Sequence, residues 1–254
     1  MGILESLYSE FGFWILLGVV AAALITSTIH GAVGVAGGTL MTAALALLIG
    51  VRPAVPVMSV ALVISHFSRS MLNARAIDWR ALVIIMGAAA PMIVVGTLLY
   101  GMLPVRAIAL VLGVLILATI PTRHWAQSRQ IKAGGATLGA IGGVYGFLAG
   151  ASIGSVMLLT PFMLGYGLSK EAFVATMAVI ALATNAVRIA AFGGSHLLDA
   201  HFALMGLLVG LVMIPGNWLG RTFLRRMAPG THGRLIDLFA LAAGLNFLYL
   251  AVFR

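Results

Sequence analysis

Apolar runs of about twenty residues, separated by short clusters of Gly, Pro and basic residues, make up almost the whole chain. Runs that long, without period-two alternation, predict α-helices able to cross a bilayer rather than β-strands. The breaks Gly50-Val-Arg-Pro53, Met102-Leu-Pro104, Gly134-Gly135, Gly193-Gly194 and Pro229-Gly230 are good helix terminators. They divide the chain into ten helical segments: 11–33, 38–50, 54–74, 79–101 and 105–121, then 134–151, 153–167, 170–193, 201–223 and 233–253. The second segment of each half is short, about 20 Å when helical against a hydrocarbon thickness of about 30 Å. Each is either a tilted span or a re-entrant half-helix. The expected fold is an all-α integral membrane protein with about 8–10 crossings.

The two halves read as repeats. Val57-Met-Ser-Val-Ala-Leu-Val-Ile-Ser-His-Phe-Ser-Arg69 lies over Thr176-Met-Ala-Val-Ile-Ala-Leu-Ala-Thr-Asn-Ala-Val-Arg188. Ser65 meets Thr184, His66 meets Asn185 and Arg69 meets Arg188. Asp78 and Asp199 follow at matching places. The expected organisation is a first membrane repeat over 1–121, a polar cytoplasmic linker over 122–133 and a second repeat over 134–254.

Each repeat is interrupted by small residues: Gly31-Ala-Val-Gly-Val-Ala-Gly-Gly-Thr39 in the first, and Gly146-Phe-Leu-Ala-Gly-Ala-Ser-Ile-Gly-Ser155 in the second. Glycine clusters weaken a helix and let other groups approach its backbone. A break of this kind once in each half points to a transporter binding site. Close helix packing is the other reading, and it fits Gly142, Gly146, Gly150 and Gly154 at four-residue spacing.

Composition sharpens the class. The chain has 254 residues, of which 62% are hydrophobic and only 8% charged, so its outer surface must face lipid. A net charge of +9 would ordinarily point to nucleic acid, but here the basic residues cluster in short loops between apolar runs. Nucleic-acid binding is therefore not expected. Arg75/Arg80, Arg123/Arg129/Lys132, Lys170 and the arginines of 221–234 all fall on one side, leaving Arg52, Arg106 and Arg254 on the other. The positive-inside rule makes the first side cytoplasmic, puts both termini outside and inverts the second repeat. Glu5 and Glu10 stand where a signal peptide would carry basic residues, so no cleaved leader is expected. The chain has no Cys, which excludes disulfide and thiol chemistry.

The doubled pattern of glycine-rich break, short apolar helix, polar joint and Ala/Ser/Thr/Met-rich helix resembles the sulfite exporter TauE/SafE family, also called the toluene sulfonate uptake permease family. That family's stretch runs G-x-G-G-G, a few apolar residues, then V-P. Here it reads Gly34-Val-Ala-Gly-Gly38 without the proline, and Ser152-Ile-Gly-Ser-Val156 followed by Thr160-Pro161. The similarity covers about 15–250. It implies secondary transport of a small sulfur-containing anion (sulfite or an organosulfonate) across a bacterial inner membrane, and export is the favoured reading.

An anionic substrate in low dielectric needs donors without a competing carboxylate. Gly37, Gly38 and Thr39 open one short helix, and Ser152, Gly154 and Ser155 open its mate, where unpaired N–H groups and the helix dipole favour anions. Arg188 would lie in the outer half of its helix, against the charge rule, and is either a substrate counter-charge or an interfacial residue. Arg69, at the matching place in the first half, is a further substrate-binding candidate and also suits snorkelling to the interface. His66 and Asn185 lie one turn earlier, near the midplane; His66 can exchange a proton near neutral pH or simply bond a neighbouring carbonyl. Ser65 and Thr184 can bond substrate or their own helix, and Asn217 is a further polar candidate. No enzymatic motif, cofactor or metal site is expected, since no His/Asp/Glu group has ligand spacing and no nucleotide motif occurs. A passive anion channel and a membrane scaffold subunit are the competing readings. The substrate, the direction of transport, the coupling ion and the oligomeric state are not legible.

Overall fold

The computed structural model describes residues 3–33, 36–72, 74–128, 132–224 and 229–253. Among them the chain forms α1 (Ile3–Val33), α2 (Ala36–Leu48), α3 (Val51–Leu72), α4 (Trp79–Met102), α5 (Val105–Ser128), α6 (Gly135–Ala151), α7 (Thr160–Gly165), α8 (Lys170–Gly194), α9 (Ala200–Leu224) and α10 (Pro229–Phe253). A 3₁₀ turn over Ser155–Leu159 leads into α7, and no strand occurs among the described residues. In hydrocarbon every backbone polar group must be satisfied within the segment, which leaves helices as the solution for apolar runs of this length. Six of the helices are long and apolar enough to cross a membrane, and side chains such as Trp14, Trp79, Met102 and Trp218 are exposed on their outer faces. The protein is an all-helical, multi-pass membrane protein.

Helix starts follow local chemistry. Asp78 Oδ1 accepts the Ala81 N–H at 2.8 Å and Asp199 Oδ1 accepts the Phe202 N–H at 2.8 Å, so the two matching aspartates open α4 and α9 in the same way. Three boundaries depart from expectation. α1 begins eight residues before 11, and Gly12 (φ 75°, ψ 162°) breaks it into a short leading helix and the span proper. α5 runs on to Ser128, through more than half of the stretch 122–133 expected as a linker. Polarity removes the reason to lie in lipid but not the propensity to continue a helix. The second short segment is a 3₁₀ turn plus a six-residue helix rather than one helix over 153–167.

Small residues set the packing. Gly142, Gly146 and Gly150 of α6 face Ile85, Ala89 and Ile93 of α4 in rising order, so the two helices run parallel. A β-carbon on Gly146 would stand 2.4 Å from the Ala89 carbonyl oxygen, so these backbones touch, as the four-residue spacing implied. α1 and α9 make the corresponding parallel pair, with Phe11 against Phe202 (ring centroids 5.9 Å apart) and Ser27 against Gly216. α5 and α10 pack antiparallel, Gly113 beside Leu248 and Gly244 beside Leu117. The first helix of each half thus lies beside the fourth helix of the other. α3 and α8 pack against each other and against α9 and α4 respectively. α2 folds back along α1 between the levels of His30 and Gly18.

Candidate anion-binding site

α6 ends at Ala151, and the chain turns through Ser152, Ile153 and Gly154 before the 3₁₀ turn begins. Gly154 has φ +95°, which only glycine adopts without strain, and a β-carbon there would stand 2.9 Å from the Thr39 methyl group. Gly38, one residue earlier in α2, has its open Cα face 3.5 Å from the Ile153 side chain. The glycine-rich breaks of the two halves therefore meet each other. Gly37 points elsewhere: a β-carbon on it would overlap Thr26 and His30 of α1, so its smallness serves the α1–α2 contact. Residues 34 and 35 of the first break lie outside the described residues.

Arg188 is buried, with 3% of its surface exposed, near the end of α8. Its Nη1 donates to Ser59 Oγ and to Asn185 Oδ1, each at 3.2 Å. Its Nη2 donates to the Ser152 carbonyl at 2.8 Å and to the Ala149 carbonyl. These last carbonyls of α6 have no partner further along the helix and carry the negative end of its dipole. All four acceptors are neutral. The six acidic residues of the chain stand at positions 5, 10, 78, 171, 199 and 237, and none is a partner of this guanidinium. The buried Nε has no hydrogen-bond partner among the described residues. Carbonyl dipoles thus hold the side chain in place without cancelling its charge, which is costly to leave unmatched in low dielectric.

The smaller of two adjoining cavities reaches this cation. The smaller, about 40 Å³, is lined by Arg188, Asn185, Thr184, Tyr145, Ser155 and His66 with apolar neighbours. The larger, about 300 Å³, lies between α3, the α6–α7 connection and the first half of α8. Leu62, Ile153, Val156, Phe173 and Met177 make it mainly apolar, and His30, His66 and Thr160 are its polar members. Tyr145 and Thr184 share a hydrogen bond at 2.7 Å, and Ser152 Oγ and Ser155 Oγ another at 2.7 Å. Beyond Arg188, toward the opposite end of the bundle, Tyr100 and Phe192 stack edge to face, 5.5 Å apart and both buried. The Tyr100 hydroxyl binds the Val51 and Arg52 carbonyls at 3.1 and 2.9 Å, which closes that end.

Of the residues singled out in the sequence, Gly38, His66, Gly154, Ser155, Asn185 and Arg188 line these cavities. Ser152 contributes its carbonyl to Arg188, and Thr39 packs on Gly154. The side chain of Arg69 lies outside the described residues. Ser65 accepts from Asn217 Nδ2 at 3.3 Å, away from Arg188. Ser59, Tyr145 and His30 were not foreseen. A single hydroxyl or imidazole in an apolar run is the signal each offers, and it does not say which face the side chain takes. No group of three or more His, Asp or Glu residues able to hold a metal ion occurs among the described residues.

The fold is a multi-pass helical bundle with a buried cation beside a cavity. A family model described as "Sulfite exporter TauE/SafE" matches residues 19–247, and the chain belongs to that family of membrane transporters. Searches among curated proteins and among solved structures find no match.

Proposed function

We propose that the protein is a secondary transporter that exports an organic anion with a sulfonate-type head across a bacterial inner membrane. The observation that carries this reading is Arg188, a buried cation with neutral partners and an unpartnered Nε beside a cavity. An oxyanion would match the charge of this guanidinium and its one unpartnered N–H. The smaller cavity suits a head group. The larger has room for much more than a three-oxygen anion, and its apolar lining favours a substrate with a carbon tail over sulfite itself.

Two inverted repeats, 1–121 and 134–254 joined through 122–133, account for the crosswise pairing of α1 with α9 and of α6 with α4. In this reading the basic loops are cytoplasmic and both termini lie outside. The larger cavity then opens inward, and the Tyr100–Phe192 layer is the closed outer side. That layer favours alternating access over a continuously open anion channel.

The test is a thermal-shift screen of the purified protein against sulfite, sulfate, thiosulfate, taurine, isethionate and sulfoacetate, followed by counterflow in proteoliposomes with the best ligand. Stabilisation and saturable counterflow are expected for at least one sulfonate. No stabilisation by any of them, or unitary currents in place of counterflow, overturns the reading.

A further inference from the structure

We infer that His66 is a proton-binding site that couples proton movement to anion movement, so that one proton travels with each monovalent anion. The inference rests on the anion site at Arg188. Among the residues lining the two cavities, His66 is the one ionisable side chain common to both. An anion passing between the head-group cavity at Arg188 and the larger cavity must therefore pass the imidazole.

The other charged and titratable groups around it are few. Across the smaller cavity stand Arg188 on α8 and Tyr145 on α6, and across the larger one His30 on α1. α2 has no titratable residue. On α9 the described side chains offer His201, in the first turn, and on α5 Arg106 in the first turn and His124, which pairs with Asp237 of α10 at 3.0 Å. On α8 Glu171 is in the first turn; on α3 itself Arg52 is exposed in the first turn, and Arg69, whose side chain lies outside the described residues, follows His66 by three positions. Among the described residues no carboxylate lines either cavity. A carrier that moves a proton by way of these cavities has imidazole as its side chain of suitable acidity, because arginine and tyrosine keep their protons near neutral pH.

Charge balance gives the site its consequence. Arg188 is a fixed positive charge, so a monovalent anion makes the loaded site neutral and one negative charge moves per cycle. Such a cycle feels the membrane potential at about 2.3 kcal/mol per 100 mV. If an N–H bond forms on the imidazole at loading and breaks at release, anion and proton leave together and no net charge crosses. An imidazolium beside the anion also attracts it, so proton binding and anion binding reinforce each other reciprocally. Anion affinity then rises as pH falls, by at most about tenfold per pH unit for one linked proton.

Methanesulfonate is the probe, because its own charge does not change in the range where histidine titrates. Wild-type protein in proteoliposomes is given a methanesulfonate gradient, with an internal pH dye and the potential clamped by potassium and valinomycin. The expected result is proton movement with the anion at about one to one, and a rate unaffected by an imposed potential. His66→Gln is expected to lose the pH dependence of methanesulfonate affinity and to transport without proton movement. Wild-type transport of the anion with no proton overturns the inference while leaving the Arg188 site standing, and it needs no variant to fold. Proton coupling that survives His66→Gln overturns it equally. Methanesulfonate binding that Arg188→Gln does not alter overturns the anion site, and the inference with it.

Discussion

Arg188 Nη2 donates to the Ser152 carbonyl oxygen at 2.8 Å, and Ser152 is the residue at which α6 stops. One side chain therefore holds the end of α6 from a neighbouring helix while its Nε–H stays without a hydrogen-bond partner among the described residues. Two duties on one guanidinium mean that its removal reads out in stability as well as in binding.

Arg188→Gln is expected to weaken binding of the best sulfonate ligand at least about tenfold, or about 1.4 kcal/mol. It should also lower ligand-free stability by about 1–3 kcal/mol, since the α6 carbonyls and Ser59 lose a buried donor. Arg188→Lys keeps the charge and loses the fork, so it should recover part of each. Ligand titration and denaturant unfolding of the purified variants separate the two effects. Lost stability with unchanged affinity would make Arg188 a helix cap alone.

Gly38 and Gly37 are adjacent but should respond differently. An added β-carbon at Gly38 meets only ordinary contacts, the nearest at 3.5 Å, so Gly38→Ala should fold and transport almost normally. Gly38→Leu should fold yet block transport, because it fills the larger cavity. Gly37→Ala should impair folding itself, since its β-carbon would stand 2.5 Å from the Thr26 carbonyl oxygen. Expression, monodispersity and counterflow of the three variants give the comparison, and wild-type counterflow by Gly38→Leu would remove that face from the route.

Gly154→Ala should cost about 1–2 kcal/mol for its left-handed backbone alone, with a further cost from the Thr39 methyl group at 2.9 Å. Thr39→Ser removes that methyl group, so the double variant should recover only the second part. Full recovery in unfolding measurements would show that the φ of +95° carries no strain.

Gly146→Ala should break the α4–α6 contact, whereas Gly143→Ala, with nothing within 4 Å of its added carbon, should be neutral or stabilising by about 0.4–1 kcal/mol. Equal thermal stability of the two would argue against the α4–α6 register.

The cysteine-free chain suits accessibility labelling. Cysteines replacing Gly2 and Arg106 should react from outside, and those replacing Arg75 and Lys132 from the cytoplasm. Cytoplasmic reactivity at Gly2 would be incompatible with the inverted arrangement of repeats.

Helix existence, several helix ends and the two glycine-rich stretches were legible along the chain because each depends on neighbouring residues. Length in lipid, backbone satisfaction and turn chemistry are local requirements, and Gly134, Asp78 and Asp199 act at helix starts as their types predict. The overrun of α5 to Ser128 escaped for the same reason: hydropathy marks where lipid ends, not where a helix does. Arg188 was conspicuous as a lone cation in an apolar helix. Its partners were not, because Ser59, Ala149 and Ser152 lie 129, 39 and 36 residues away in sequence and reach it only through packing. Tertiary structure alone decided that Gly37 packs on α1 while Gly38 faces a cavity, and that the breaks of the two halves touch. The rotation and register of each helix are set by the fit of small residues against backbones from the other half, such as Gly146 on Ala89 and Gly216 on Leu24, and that fit has no signature within either segment.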